Sequence, residues 1–109
     1  MRIIRHPIAI IDYQEIYLPG EGEVLSVAAS REFPNHGIDL WALDYERGEQ
    51  RTVTIYVIGT GNPMPTDLAA EMDPHGHGGI PVLLPDHKFI GTVVTANGLV
   101  WHIFEGPVR

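Results

Sequence analysis

Short runs of apolar residues, interrupted every six to ten positions by glycine, proline or charge, dominate the chain and predict strands throughout. The strongest run is Val53-Thr54-Ile55-Tyr56-Val57-Ile58, which stops at Gly59-Thr60-Gly61-Asn62-Pro63-Met64-Pro65. Pro63 and Pro65 forbid a helix interior and a central strand, so residues 59–65 form an irregular loop. Near the C-terminus, Phe89 to Ala96 and Leu99 to Phe104 flank Asn97-Gly98. That dipeptide between two β-rich runs predicts a hairpin with a two-residue turn. In that register Val94 faces Trp101, Thr92 faces Ile103, and Gly91 faces Phe104.

The remaining strands are shorter. Ile3 to Ile11 contains Pro7 and reads as an edge strand, since proline donates nothing to a ladder. Gln14 to Leu18 and Val24 to Ala29 follow, the latter with Leu25, Val27 and Ala29 on one face. Ile38 to Tyr45 is apolar on both sides, which predicts a central strand. Glu46 to Arg51 is short, polar and holds a glycine, and is expected to join this strand to Val53–Ile58 as a hairpin. Thr66 to Met72 can form one or two helical turns with Thr66 as N-cap. The expected core is Leu40, Leu43, Ile55, Val57, Ile90, Val94, Trp101 and Ile103.

The elements describe a mainly β fold, a compact antiparallel sandwich or small barrel of about six or seven short strands, with at most one short helix near 66–72. With 109 residues and no internal repeat, the chain is expected to be one domain over 1–109, with residues 69–86 a flexible insertion.

Composition narrows the chemistry. The net charge of −7 argues against nonspecific nucleic-acid binding, which needs clustered Lys and Arg to displace phosphate counterions. No cysteine is present, which removes disulfides and thiolate ligands and favours a cytoplasmic setting. No apolar run approaches the roughly 20 residues of a membrane span. Met1 to Pro7 is basic, yet Asp12 and Glu15 interrupt the apolar stretch behind it, so no signal peptide is expected.

Candidate sites are few. Gly59-Thr60-Gly61 follows a strand as a phosphate loop would, but no third glycine, helix start or lysine follows, and a structural turn is the plainer reading. His75 and His77, with Asp73 and His87, offer metal ligands, although a glycine-rich loop gives them no rigid support and metal binding is not expected. His102, between Trp101 and Ile103, reads as a packed strand histidine. Ser26 and Ser30 lie in no nucleophile elbow, and Glu21 with Glu23 is a solvated pair. No catalytic residue and no cofactor are expected, so the chain is read as a non-enzyme.

The pieces Leu40-Trp41-Ala42-Leu43, Gly59 to Pro65, Phe89-Ile90-Gly91-Thr92-Val93 and Leu99-Val100-Trp101-His102-Ile103-Phe104-Glu105 resemble a family of small uncharacterised proteins of tailed bacteriophages, many infecting actinobacteria. The likeness extends over most of the chain, with residues 69–86 as an insertion and with Asn62 where histidine is expected in relatives. The family has no assigned activity, so the resemblance implies a context, the cytoplasm of an infected bacterium. Within it, a small acidic chain with no catalytic motif and open strand edges is expected to be an accessory protein that binds a host protein. A binder of a small ligand such as a signalling nucleotide, or a minor virion component, are the alternatives. The expected binding residues are His36, Gly59, Gly61, Asn62 and Met64, on loops carried by a rigid sheet. A homodimer formed through an open edge, either Ile3–Ile11 or the strand after it, is also expected.

Overall fold

The structure, a computed structural model, describes residues 1–64, 69–71, 81–83 and 87–108. These form nine strands and no helix. The strands are β1 (Arg2–Ala9), β2 (Tyr13–Leu18), β3 (Glu23–Ala29), β4 (Gly37–Asp44), β5 (Arg51–Gly59), β6 (Ala69–Glu71), β7 (Pro81–Leu83), β8 (Lys88–Val94) and β9 (Val100–Val108). Seven of them build two antiparallel sheets, ordered β1-β4-β3 and β2-β5-β9-β8, while β6 and β7 pair as a separate ribbon. The protein is a mainly β, antiparallel sandwich.

Burial explains the layering. One face of the first sheet contributes Ile8, Val24, Ile38, Leu40 and Ala42 to a single core cluster. One face of the second contributes Ile16, Leu18, Val53, Ile55, Val57, Val93 and Ile103 to the same cluster. Away from the bulges, the strands of these two sheets therefore turn alternate residues inward, as a pleat requires. β1 occupies an edge, with Pro7 opposite Asp39, and β4 lies at the centre of its sheet.

Several expectations are corrected. Glu46 to Gln50 does not close a hairpin, because β4 and β5 belong to different sheets. The segment crosses between layers through two left-handed residues, Glu46 (φ 55°) and Gly48 (φ 64°). In β3 the register shifts between Val24 and Ser26, so Val24 is buried and Leu25 is exposed rather than sharing a face with Val27. A bulge reverses the alternation on either side of itself. Leu43 and Trp41 lie with Asp39 on the outward face of β4, half-buried, and Ala42 takes the inward place expected of Leu43. Ala69–Glu71 is a strand, where helical turns are expected over 66–72, and it pairs with Pro81–Leu83 inside the expected 69–86 insertion; residues 66–68, 72–80 and 84–86 lie outside the described residues.

The C-terminal hairpin shows how one residue changes a face. Val94 pairs with Val100 and Val93 with Trp101, so the loop holds Ala96, Asn97 and Gly98 between Thr95 and Leu99 rather than two residues. Thr95 N–H donates to Leu99 C=O at 3.0 Å, and Gly98 N–H returns to Thr95 C=O at 2.9 Å. Inside the loop, Thr95 Oγ1–H donates to Asn97 Oδ1 at 2.6 Å. Only Gly98 is left-handed (φ 85°), as in a three-residue hairpin whose last loop residue forms a G1 bulge. A slip of one residue exchanges the two faces. Val93 is buried and Val94 is 59% exposed, so Val93 replaces Val94 in the core. Gly91 then faces Ile103, while Gly59 is paired with an aromatic residue, Trp101.

A Cβ at position 98 would meet nothing within 4 Å, so its cost is conformational alone. Gly98→Val is expected to destabilise the fold by about 1–3 kcal/mol, read from the urea midpoint. An unchanged midpoint would remove the left-handed turn from the account.

At the opposite end, Asp44 accepts from Glu46 N–H at 2.8 Å and from Arg2 Nε at 3.1 Å. These bonds favour the ionised form, the first of them most strongly, and hold the carboxyl below its ordinary range. The folded state therefore binds the proton more weakly than the unfolded chain. The stabilisation is complete above the ordinary aspartate range and is lost as pH falls through the lowered folded value. Asp44→Asn should flatten that part of the acid limb of a stability–pH profile, and an acid limb of unchanged steepness would exclude the assignment.

Candidate recognition surface at one end of the sandwich

Three chain segments converge where β3 ends, β5 ends and β9 begins. The first is the β3–β4 loop. Ser30 N–H donates to Gly37 C=O at 3.0 Å, and the Ser30 hydroxyl accepts from Glu32 N–H at 3.2 Å and Phe33 N–H at 3.1 Å. A serine oxygen satisfying two successive amides makes a compact turn. It leaves the Phe33 side chain 54% exposed, with the His36 ring beside it at 5.4 Å.

The second segment is the β8–β9 turn, docked on the first. Ala96 N–H donates to Pro34 C=O at 2.9 Å and Asn97 Nδ2–H to Asn35 C=O at 3.4 Å. The same turn carries Leu99, 52% exposed.

The third is the loop after β5. Asn62 N–H donates to Gly59 C=O at 3.0 Å and Gly61 has φ 88°, the signature of a four-residue turn with glycine at its third place. Thr60 N–H donates to Val100 C=O at 3.2 Å, which ties this turn to β9. Thr60 Oγ1 lies 2.7 Å from His102 Nε2, and Thr92 Oγ1 lies 3.0 Å from His102 Nδ1. His102 points away from the core with both ring nitrogens engaged, so its ring is fixed between two hydroxyls.

Between the second and third segments lies an open cleft of about 320 Å³, lined by Gly59, Thr60, Asn62, Gly98, Leu99, Val100 and Trp101. Its walls combine an indole and two aliphatic side chains with one hydroxyl and one amide. A Cβ on Gly59 would stand 2.8 Å from Asn62 Nδ2 and 3.3 Å from Trp101 Cζ3, so glycine is needed for the amide and the indole to close on the strand end.

Of the residues expected to bind, Gly59 and Asn62 line the cleft. Gly61 and Met64 are exposed on the same loop, and His36 stands on the neighbouring loop that supports the hairpin turn. His75 and His77, with Asp73, lie outside the described residues. His87 sits apart from the cleft, its ring 6.0 Å from that of Tyr56. Among the described residues no group of three or more His, Cys, Asp or Glu side chains is placed to hold a metal ion, and no helix is long and apolar enough to cross a membrane. Thr60 stands in the Gly59-Thr60-Gly61 turn already weighed from sequence, whereas Phe33, Leu99, Val100 and Trp101 are not singled out for binding there. Leu99, adjoining Asn97-Gly98, was their one local signal, as an apolar residue in a turn.

Fold and surface together define a small β-sandwich with a rigid, partly apolar loop end. The chain belongs to the family described as a domain of unknown function, DUF7352, whose model matches residues 1–109. No curated protein and no solved structure matches the chain.

Proposed function

We propose that this protein acts by binding another protein, with the loop end of the sandwich as its recognition surface. The observation that supports this most is the presentation of Phe33 (54% exposed), Leu99 (52%) and Met64 (36%) on loops held by main-chain hydrogen bonds. Large apolar side chains are costly to hold in water, and a rigid frame lowers the ordering cost of association. The resemblance to tailed-phage proteins supports a host protein as the partner and the cytoplasm of an infected bacterium as the setting.

The test is capture from lysate of a bacterium that supports such phages, with the wild-type protein beside Phe33→Ser and Leu99→Ser. Both residues are exposed, so the variants should keep the wild-type unfolding midpoint. The expected result is a specific host protein, identified by mass spectrometry, whose affinity for the purified protein falls at least tenfold in each variant. Unchanged affinity in both variants overturns the surface assignment.

The cleft beside Trp101 supports a second reading, a small planar ligand such as a nucleotide, stacked on the indole and bonded to Asn62 and Thr60. A nucleotide that quenches tryptophan fluorescence in the wild type and not in Asn62→Ala would favour this reading over the first.

A further inference from the structure

We infer that β2 is a self-pairing edge and that two copies join through it into one continuous eight-stranded sheet. Sheet edges are templates for further pairing unless they are blunted. Four edges exist in the sandwich, those of β1, β3, β2 and β8. β1 carries Arg2, Arg5 and Pro7. β3 is bulged after Val24 and β8 after Phe89, and these two edges lie against each other, a Cβ on Gly91 falling 3.2 Å from Val27 Cγ2. β2, Tyr13–Leu18, has no proline, lysine, arginine or bulge, and its register against β5 runs unbroken from Tyr13↔Tyr56 to Leu18↔Arg51.

The hydrogen-bond phase shows which groups β2 offers. Val57 N–H donates to Asp12 C=O at 3.2 Å, and by the same register these residues stand opposite each other. Bonded and non-bonded pairs alternate along an antiparallel ladder. The main-chain groups of Gln14, Ile16 and Leu18 therefore point to β5, and those of Tyr13 and Tyr17 point to the edge. The side chains of Tyr13 and Tyr17 are 47% and 55% exposed on the outer face beside it.

The strand is also complementary to itself. A two-fold axis perpendicular to the sheet keeps odd-numbered side chains on the outer face, so each residue meets one of the same parity. An axis at Glu15 would set two carboxylates opposite each other, which destabilises a strand pair. An axis at Tyr17 would shorten the paired stretch of β2 to Ile16–Leu18, against Gln14–Leu18 for an axis at Ile16. With the axis at Ile16, Tyr17 meets Glu15 of the second copy and Gln14 meets Leu18, with no like charges opposed. A second copy in this register is the occupant of the edge.

The experiment is sedimentation equilibrium of the purified chain over a concentration series. The expected mass rises toward twice 12.1 kDa, and the association strengthens with salt because each copy carries a net charge of −7. Tyr17→Asp, which opposes Glu15, should weaken association at least tenfold, whereas Tyr17→Lys should leave it as tight or tighter. Since the chain has no cysteine, Glu15→Cys with Tyr17→Cys should cross-link into a covalent dimer on oxidation, and Glu15→Cys alone should not. A single-chain mass at the highest soluble concentration, including one where β2 instead captures a foreign peptide, overturns the proposal. Equal effects of aspartate and lysine at position 17, or cross-linking through Glu15→Cys alone, overturn it as well.

Discussion

Ile55→Ala is expected to destabilise the protein by about 3–5 kcal/mol, a large part of the roughly 5–15 kcal/mol that holds a domain of this size together. Ile55 is fully buried in a strand with neighbours on both sides, β2 and β9, and its side chain belongs to the cluster shared by the two sheets. Truncation removes apolar contact from water exclusion and leaves a void, because close-packed neighbours pinned in two sheets collapse only in part. Val94→Ala supplies the control. Both residues are apolar and both are read from sequence as core, but Val94 is 59% exposed, and its truncation should fall within about 0.5 kcal/mol of wild type. Urea unfolding of the two variants measures the difference directly. Similar losses for both would mean that the C-terminal hairpin pairs in the other register.

Gly20→Ala should cost nearly as much, about 2–4 kcal/mol, by a different route. Gly20 has φ 63°, where a side chain is strained, and its added Cβ would fall 1.9 Å from Asp44 Oδ1 and 2.6 Å from the Glu46 amide nitrogen. The Glu46 nitrogen is main chain, so the clash cannot be relieved by a rotamer change. Moving Asp44 would break its bonds to the Glu46 N–H and to Arg2. The Gly20 carbonyl accepts from Tyr45 N–H at 3.2 Å, so the glycine also ties the β2–β3 turn to the end of β4. Gly61→Ala separates the two contributions. Gly61 has φ 88° and open space around it, so alanine there should cost only the conformational term, about 1–2 kcal/mol. Equal losses at both positions would show that the contact with Asp44 and Glu46 carries no weight.

The strands themselves were written in local sequence. Alternation, apolar runs and their glycine and proline boundaries placed β1 to β5, β8 and β9 within a few residues, and Pro7 marked β1 as an edge. The irregular loop after Ile58 and the hairpin at Asn97-Gly98 were legible for the same reason, since proline and glycine constrain their own backbone wherever they stand. Gly59 and Asn62 could be placed at a candidate site because that loop is local.

What neighbours each strand was decided only by the assembled structure. Glu46–Gln50 has the length and polarity of a hairpin loop, and only the competition of β1 and β3 for β4, and of β2 and β9 for β5, makes it a crossing between layers. The hairpin register turned on side-chain bonds from Thr95 and Asn97, which added one residue to the loop and exchanged Val94 for Val93 in the core. The candidate surface depends on the same long-range events. Phe33 is distant in sequence from Leu99 and Trp101, and their nearness rests on bonds such as Ala96 to Pro34, which join a loop of one sheet to a turn of the other. Local propensity acts on a residue and its immediate neighbours. Pairing free energy depends on every alternative partner at once, and only the folded chain resolves that choice.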